Sequence, residues 1–402
     1  KKECEDKGLV VKPVGKRESK RDYVMALQKY HLKDREMTFG LEYRLSIESP
    51  QLAFLSTHLR PEEIEEIYRS DNWIFEKKLN GVRMMVTYHP NSGFEFYSRN
   101  LSVEDYLPTE YSEKIWLGTE VSFKNTFSSF VLDCEIMSSN PNICTVMGKR
   151  GVVTENELQA VTALLALNKE DSIRIQKEMN GPLKLHVFDC LYWEGKDLKK
   201  LSYIERRKYV GLVVEKLNEM FLPFEKVKAV QKDKKGYLEF IWENSGEGCI
   251  AKRLDMAYLA TESRPRNGWI KFKRTASGHL GDSVDAVVTG FELGDDEKGF
   301  KNLVGCLKVS VLLKRADGET IWHEIARVPN IPLEMRKEIT VVENGFPTLR
   351  KEIMGRVVEV DGQQVSARAL RLTHPRLIRW RDDKNVNSLQ VYDENQLRSL
   401  IK

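Results

Sequence analysis

Between about Asn72 and Lys273 the chain alternates short apolar runs with polar, helix-forming stretches, and no other feature limits its fold as much. WIFEKKL, VRMMVTY, FEFYSR, FVLDCEIM, LKLHVFDCLYW, KVKAVQ, EGCIAKRL and WIKFKR are rich in β-branched and aromatic residues and read as strands. Capping boxes mark helices between them: Thr154 with Glu157 opens one through Leu167, and Ser202 with Glu205 opens another through Leu217. Pro61, at the head of PEEIEEIYRS, starts a further helix with acidic residues in its first turn. Short turns imply mostly antiparallel neighbours, so residues 61–275 are expected to form a large α+β domain. Residues 36–60 read as an extended connector.

After Arg274 the texture changes. The linker TASGHLGDS precedes VDAVVTGFEL, GCLKVSVLLKR, ETIWHEIARV, GRVVEV and QQVSARALRL, with a helical PLEMRKEI among them. Asp317-Gly318 and Asp361-Gly362 stand between alternating runs and are hairpin signals. The economical reading of residues 281–402 is an all-β, five-stranded OB-fold barrel with one helix. Residues 1–35 read as two short helices around a Gly/Pro/Lys linker, with Tyr23, Val24, Leu27 and Tyr30 at helical spacing. That piece is too small to hold a large core alone.

Charge is informative only by segment. The whole chain of 402 residues sums to +4, but residues 1–35 hold eleven basic and six acidic side chains, leaving −1 for the rest. A basic arm of this kind would supply phosphate contacts and salt-dependent affinity without sequence readout. No stretch approaches the ~18–20 apolar residues of a membrane span. KKECEDKGLVVK also lacks the apolar centre of a secretory signal. A soluble intracellular protein without a membrane partner is expected, cytoplasmic in a bacterial or viral setting and nuclear in a eukaryotic one. The six cysteines form no CxxC pair, and Cys134, Cys190 and Cys249 lie inside apolar runs, which suits reduced core fillers. Scattered cysteines and histidines give a His/Cys metal site little support.

The chemistry centres on Glu76-Lys77-Lys78-Leu79-Asn80-Gly81-Val82-Arg83, between two strands. A lysine followed by Asn-Gly and an arginine places an amine at a strand end, next to backbone able to approach a phosphate. Taken alone, the string reads equally well as a hairpin with solvated lysines. Downstream come Asp133-Cys134-Glu135, Phe188-Asp189, Glu247-Gly248-Cys249-Ile250-Ala251-Lys252, Trp269-Ile270-Lys271-Phe272-Lys273 and Arg381-Asp382-Asp383-Lys384. In this order and spacing the strings resemble the six motifs of the covalent nucleotidyltransferases: DNA ligases, RNA ligases and capping enzymes. The likeness is greatest to ATP-dependent DNA ligases and covers about residues 72–390.

The resemblance implies a nucleotidyltransferase (ATP-grasp-like ligase) domain followed by the barrel, and makes Lys78 the nucleophile that takes AMP. The family motif requires Gly three residues after it and Arg five after, which Lys78 satisfies and Lys77 does not. A phosphoramidate needs a neutral amine near pH 7, against an ordinary lysine pKa of ~10.4. Lys252, Lys271 and Lys273, if they converge on Lys78, would depress that value and bind the α-phosphate. By the same resemblance Glu76 accepts from the adenine amino group, Phe188 stacks on adenine, and Glu135 meets the ribose hydroxyls. Arg83 and Arg99 hold ribose and phosphate, including the 5′-phosphate of a nick. Glu247, with Asp133 as second candidate, positions Mg²⁺, and Arg381 and Lys384 orient the pyrophosphate leaving group.

Two departures stand out. Position 80 is Asn where ligases usually carry Asp, although Asn suits a positive-φ turn equally well. The arginine expected four residues before Trp269 is displaced, since Pro265 lies there between Arg264 and Arg266. Residues 1–35 look like a small SAP-type DNA-binding module. The implied activity is ATP- and Mg²⁺-dependent sealing of 5′-phosphate/3′-hydroxyl nicks in duplex DNA by a monomer, as replication, repair and recombination require. The alternatives are an RNA ligase or one preferring an RNA 3′-hydroxyl strand in an RNA/DNA hybrid, a capping guanylyltransferase, and a non-catalytic nucleic-acid clamp.

Overall fold

The apolar runs of residues 54–273 sort into two sheets in the computed structural model. It describes residues 2–11, 19–33, 35–47, 49–102, 104–119, 123–138, 157–179, 183–244, 246–260, 264–273, 283–295, 300–362, 365–366 and 369–399. Thr154, the linker at 12–18, Cys144 and most of the linker after Arg274 lie outside the described residues. The chain divides into two units, Lys1–Lys273 and Arg274–Lys402.

In the first unit the strands are β1 (Phe54–Leu55), β2 (Trp73–Lys77), β3 (Val82–His89), β4 (Gly93–Leu101), β5 (Pro108–Glu110), β6 (Phe130–Ser138), β7 (Leu183–Trp193), β8 (Lys196–Asp197), β9 (Phe224–Lys226), β10 (Ala229–Val230), β11 (Gly248–Arg253) and β12 (Trp269–Lys273). One sheet has the order β1-β12-β11-β2-β10, the other β5-β4-β3-β6-β7-β8 with β9 also on β7. Pairing is antiparallel except for β1 with β12 and β7 with β9. The consecutive strands β2 and β3 lie in different sheets, so Lys78–Gly81 is a crossover and not a hairpin turn.

Alternation decides which face of each sheet is buried. Met84, Val86, Tyr88, Leu132, Cys134, Ile136 and Val187 face a core closed by Val161 and Leu164 of the helix Glu157–Ala166 and Val210, Val213 and Leu217 of the helix Tyr203–Glu219. Ser202 and Glu205 cap the latter reciprocally, as the sequence predicts. In the other sheet Trp73, Phe75, Cys249, Ala251, Ile270 and Phe272 pack with Ile67 of the helix Pro61–Arg69 and with Leu238 and Ile241 of the helix Lys234–Glu243. A third cluster, containing Ile47, Met85, Val131, Leu191, Tyr258 and Trp269, joins residues of both sheets. Each fully buried Leu, Ile, Val or Phe contributes about 1.5–3 kcal/mol to this packing.

Residues 36–60 are not an extended connector. Phe39–Ser46 forms a helix, and only short extended and 3₁₀ pieces follow it. Thr38 caps it by accepting from the Leu41 N–H, and the buried Glu95 carboxylate accepts from the Gly40 N–H at 2.9 Å. A Cβ at Gly40 would lie 2.0 Å from Glu95 Oε2 and 2.2 Å from Thr87 Oγ1, so glycine lets this helix lie directly on β3 and β4. The missed signal was Thr38 followed by apolar Phe39 and Leu41, a weak start obscured by the glycine.

The N-terminal helices, Lys2–Asp6 and Lys20–His31, belong to the first unit. Gln28 Nε2 donates to the Tyr106 carbonyl and Tyr106 OH to Glu3 Oε2, both at 2.8 Å. These contacts join the helices to the connection between β4 and β5.

The second unit is a further β-sheet domain, mostly antiparallel. Its strands β13 (Val284–Leu293), β14 (Val304–Lys314), β15 (Thr320–Val328), β18 (Val357–Asp361) and β19 (Arg376–Trp380) run in the order β15-β14-β13-β18-β19, with β20 (Val391–Asp393) parallel to β14. Asp317-Gly318 does turn β14 into β15, with Gly318 at φ +89°. Asp361-Gly362 does not turn a hairpin: β18 pairs with β19, which begins fifteen residues later at Arg376. The unanticipated hairpin is β16 (Thr340–Glu343) with β17 (Phe346–Leu349), turned by Asn344 and Gly345 at φ +51° and +82°. The described residues of QQVSARALRL supply an isolated Val365–Leu372 bridge. Among the described residues no helix is long and apolar enough to cross a membrane.

Candidate active site

Strand phase builds the site. Ile250 on β11 stands opposite Glu76 on β2 and Lys271 on β12; Lys252 stands opposite Ile74 and Trp269; Gly248 stands opposite Lys273. The Lys78 N–H donates to the Gly248 carbonyl at 2.8 Å, carrying the ladder one residue beyond β2. With period two, Glu76, Lys78, Lys252, Lys271 and Lys273 share one face. Lys77 pairs with Cys249 and takes the phase of Phe75, on the face packed against helices.

On that shared face the carboxylate of Glu247 bridges two amines. One oxygen contacts Lys78 Nζ and the other lies 2.7 Å from Lys273 Nζ. Burial raises the pKa of Glu247, and Lys78 and Lys273 more than offset this, so the net shift is downward. Deeper in, Lys252 Nζ lies 2.6 Å from Glu76 Oε2 and donates to the Phe188 carbonyl at 3.1 Å. Arg207 and Tyr203, on the helix Tyr203–Glu219, donate to the other Glu76 oxygen. Glu76 is 2 % exposed and Lys252 1 %, so this is a closed, paired charge network. Lys271 makes no ion pair among the described residues; burial, then Arg264, Lys273 and Lys78, lower its pKa.

The other sheet brings the remaining groups. Arg83 pairs in register with Glu135 and lies over Phe188, its guanidinium 5.3 Å from the ring centroid. Lys252 Nζ lies 4.7 Å from the same centroid, and Trp269 meets Phe188 edge-on at 5.8 Å. Asp133 holds Arg83 bidentately at 2.9 and 2.6 Å and also accepts from Tyr258 OH at 2.6 Å. Asp133 therefore anchors Arg83, and both its oxygens are engaged, which disfavours it as a metal ligand. Arg99 is exposed, with Arg83, Asp133, Glu135 and Arg264 as its electrostatic neighbours. Arg266 pairs instead with Glu63, at 2.6 Å. Of the two arginines around Pro265, Arg264 thus faces Lys271 and Arg99.

Neither Asn80 nor Gly81 has positive φ. Gly81 is required for close approach, since a Cβ there would lie 2.2 Å from the Ile136 carbonyl. Its N–H donates to Glu135 Oε1 at 3.0 Å. Burial pushes the Glu135 carboxyl up to about 7, against the opposing pull of that N–H and of Lys78 and Arg83. A native pKa above the unfolded value means the folded state binds the proton more tightly, so this group costs stability as pH rises from about 4.5 to about 7. Glu135→Gln is expected to be more stable than the parent by about 1–3 kcal/mol at pH 8, a difference that fades by pH 5. Melting temperatures at both pH values check it, and a less stable variant at pH 8 would contradict it.

Among the described residues no group of three or more His, Cys, Asp or Glu is placed to hold a metal. Glu247 is partly exposed, but both its oxygens are taken too, by Lys78 and Lys273, so it would hold Mg²⁺ only on releasing one of these amines, with phosphate oxygens and water as the other ligands. In the second unit, Asp285 on β13 pairs with Arg381 at 2.7 Å and with Lys384, while Asp383 takes the other side of Arg381 at 2.7 Å. Tyr203, Arg207 and Tyr258 were not anticipated from sequence. They lie outside the six strings, and only their unusually deep burial among charges marks them.

A lysine amine flanked by further lysines and one carboxylate, beside an aromatic ring and a fixed arginine, is a site for chemistry at a nucleotide phosphate. Residues 50–273, more than half of the chain, match the ATP dependent DNA ligase domain, and the chain belongs to that family. It is 27% identical over 277 residues to a probable DNA ligase of Dictyoglomus turgidum, covering 68% of this chain and 43% of that protein. It is 26% identical over 337 residues to a DNA ligase of Acidianus ambivalens, covering 78% and 52%. The chain thus spans about half the length of such relatives or less. The solved structure Pmar-Lig_Pre shares the fold, with a TM-score of 0.55 and 19% identity over 83% of this chain and 67% of that one.

Proposed function

We propose that the protein is an ATP-dependent DNA ligase that seals 5′-phosphate/3′-hydroxyl nicks in duplex DNA through a lysyl-AMP intermediate on Lys78. The observation that carries this reading is the strand phase that sets Glu76, Lys78, Lys252, Lys271 and Lys273 on one face. Lys78 Nζ attacks the α-phosphorus of ATP and pyrophosphate leaves. Glu247, in contact with Nζ, is an acceptor for the proton the amine must lose. Lys271 and Lys273 meet the charge that grows on the phosphate oxygens. Phe188 and Trp269 receive the adenine, and Glu135 the ribose. For Glu76 to read the adenine amino group it must exchange one of its present partners. Mg²⁺, when bound beside Glu247, neutralises phosphate charge.

AMP then passes from Lys78 to the 5′-phosphate of the nick, with Arg99 and Arg264 as phosphate contacts; the 3′-hydroxyl attacks and AMP leaves. Both displacements rest on positioning and electrostatics. The second unit serves as an OB-fold barrel whose Arg381 and Lys384 orient pyrophosphate in the first step, after exchanging Asp285 for phosphate. The basic N-terminal helices add non-specific DNA contacts.

Labelling with α-³²P-ATP and α-³²P-GTP in parallel, followed by sealing assays on DNA/DNA nicks, RNA/DNA nicks and single-stranded RNA, tests the reading. AMP attachment to the 46.6 kDa chain and sealing of the DNA/DNA nick are expected. Preferential GMP attachment, or joining of single-stranded RNA in preference to the nick, would overturn it.

A further inference from the structure

The helix Phe39–Ser46 precedes the matched family span of 50–273 and carries an arginine that none of the six sequence strings includes. Arg44 is 1 % exposed, yet no carboxylate pairs with it among the described residues. Its guanidinium spends its donors on backbone carbonyls: Nε to Ser98 at 3.1 Å, Nη2 to Arg99, and Nη1 to Ile47 at 3.2 Å. Burial lowers its pKa to about 10, so it stays charged at neutral pH. A buried cation without a carboxylate costs far more than a buried apolar side chain, and its retention requires a compensating use.

The acceptors indicate that use. Near the end of β4, Ser98 stands opposite the core residue Met84, so alternation puts Arg99 on the other face, the one that holds Arg83, Asp133 and Glu135, whose charges act on its side chain. Arg44 is also close enough to Arg83, Asp133 and Tyr258 to feel their charges. The helix cannot drift from this strand, because Glu95 holds its Gly40 N–H and Tyr43 OH donates to the Leu191 carbonyl at 3.1 Å. Arg44 thus ties the backbone beneath Arg99 to a fixed helix, using a planar fork that a lysine cannot reproduce.

We infer that Arg44 is a positioning residue for the 5′-phosphate of the nick, holding the Ser98–Arg99 backbone so that the Arg99 guanidinium meets that phosphate. This rests on the reading of Arg99 as a 5′-phosphate contact. The consequence is specific to one step: attack on ATP does not use the nick phosphate, whereas transfer of AMP to the nick does.

The test compares Arg44→Lys, Arg44→Ala and Arg99→Ala in the full chain. Three quantities are measured: the rate of enzyme–AMP formation, the single-turnover transfer of AMP from pre-adenylated protein to a nick, and the preference for a 5′-phosphate over a 5′-hydroxyl nick in binding. Arg99→Ala and Arg44→Lys are each expected to reduce both transfer and 5′-phosphate preference by about 10-fold or more, the scale of a lost charged hydrogen bond. Enzyme–AMP formation in Arg44→Lys should stay within about threefold of the parent. Should Arg44→Lys fold poorly, guanidinium ion added to Arg44→Ala at non-denaturing concentration should restore transfer selectively. A parental preference in Arg44→Lys while Arg99→Ala loses it overturns the inference alone. So does an equal fall in all steps that follows the loss of stability. A parental preference in Arg99→Ala overturns the reading of Arg99 and the inference with it.

Discussion

Lys78→Ala is expected to abolish covalent attachment of AMP, a loss of at least about 10³-fold, whereas Lys77→Ala retains it. The two lysines are adjacent, and what separates them is phase. Lys78 continues the face of Glu76 and contacts Glu247, while Lys77 pairs with Cys249 on the face packed against helices. No rotamer of Lys77 carries its amine through the sheet to Lys271 and Lys273. Labelled ATP and a denaturing gel provide the measurement. Persistent labelling of Lys78→Ala would mean that another amine is the nucleophile, and loss of labelling in Lys77→Ala would mean that strand phase does not govern the choice. Binding to a nicked duplex should survive in Lys78→Ala, since phosphate contacts elsewhere are untouched.

Glu76→Ala is expected to be the most destabilising single change at the site. It removes the carboxylate that Lys252, Arg207 and Tyr203 share, and leaves the ammonium of Lys252 buried without an ion pair among the described residues, beside the Phe188 carbonyl, aromatic rings and the more distant charge of Asp189. Breaking a buried pair from one side costs about 3–5 kcal/mol. For a unit of this size that corresponds to a fall in melting temperature of roughly 6–12 °C. Replacing Lys252 by Met in the same variant should recover much of the stability, because no charge is then stranded. It should not recover activity, since the variant then lacks both Glu76, proposed to read the adenine, and Lys252, on the face of Lys78. An unchanged melting temperature in Glu76→Ala would show that water reaches Lys252 and that the network is looser than its burial indicates.

The sequence carried the active site further than it carried the fold. The five strings of the first unit name most of the side chains brought together there, because each couples a chemical residue type to a strand with a strict period. It could not show that β2 and β3 part into different sheets, since an Asn-Gly step between two β runs looks the same whether it turns a hairpin or crosses between layers. The pairings of β2 with β11 and of β3 with β6 distinguish the cases, and both join segments distant in sequence. The helix at Phe39–Ser46 was hidden for a related reason: its glycine weakens local propensity and is explained by Glu95 on a distant strand. The sequence could not choose a partner for Asp133, because a carboxylate beside an apolar run demands a cation without saying whether it is a metal or an arginine; the structure supplies Arg83.

Building the site on strand phase has an evolutionary corollary. Loops between the elements can lengthen or shorten without touching the chemistry, but a single residue inserted between Phe75 and Lys77 would exchange the two faces, sending Lys78 toward the helices and Lys77 toward the face of Lys271 and Lys273. Descendants of such a gene can therefore vary widely in length and still share this active site, provided that indels never fall within a few short segments. Substitution can explore those segments, but the spacing within them cannot drift.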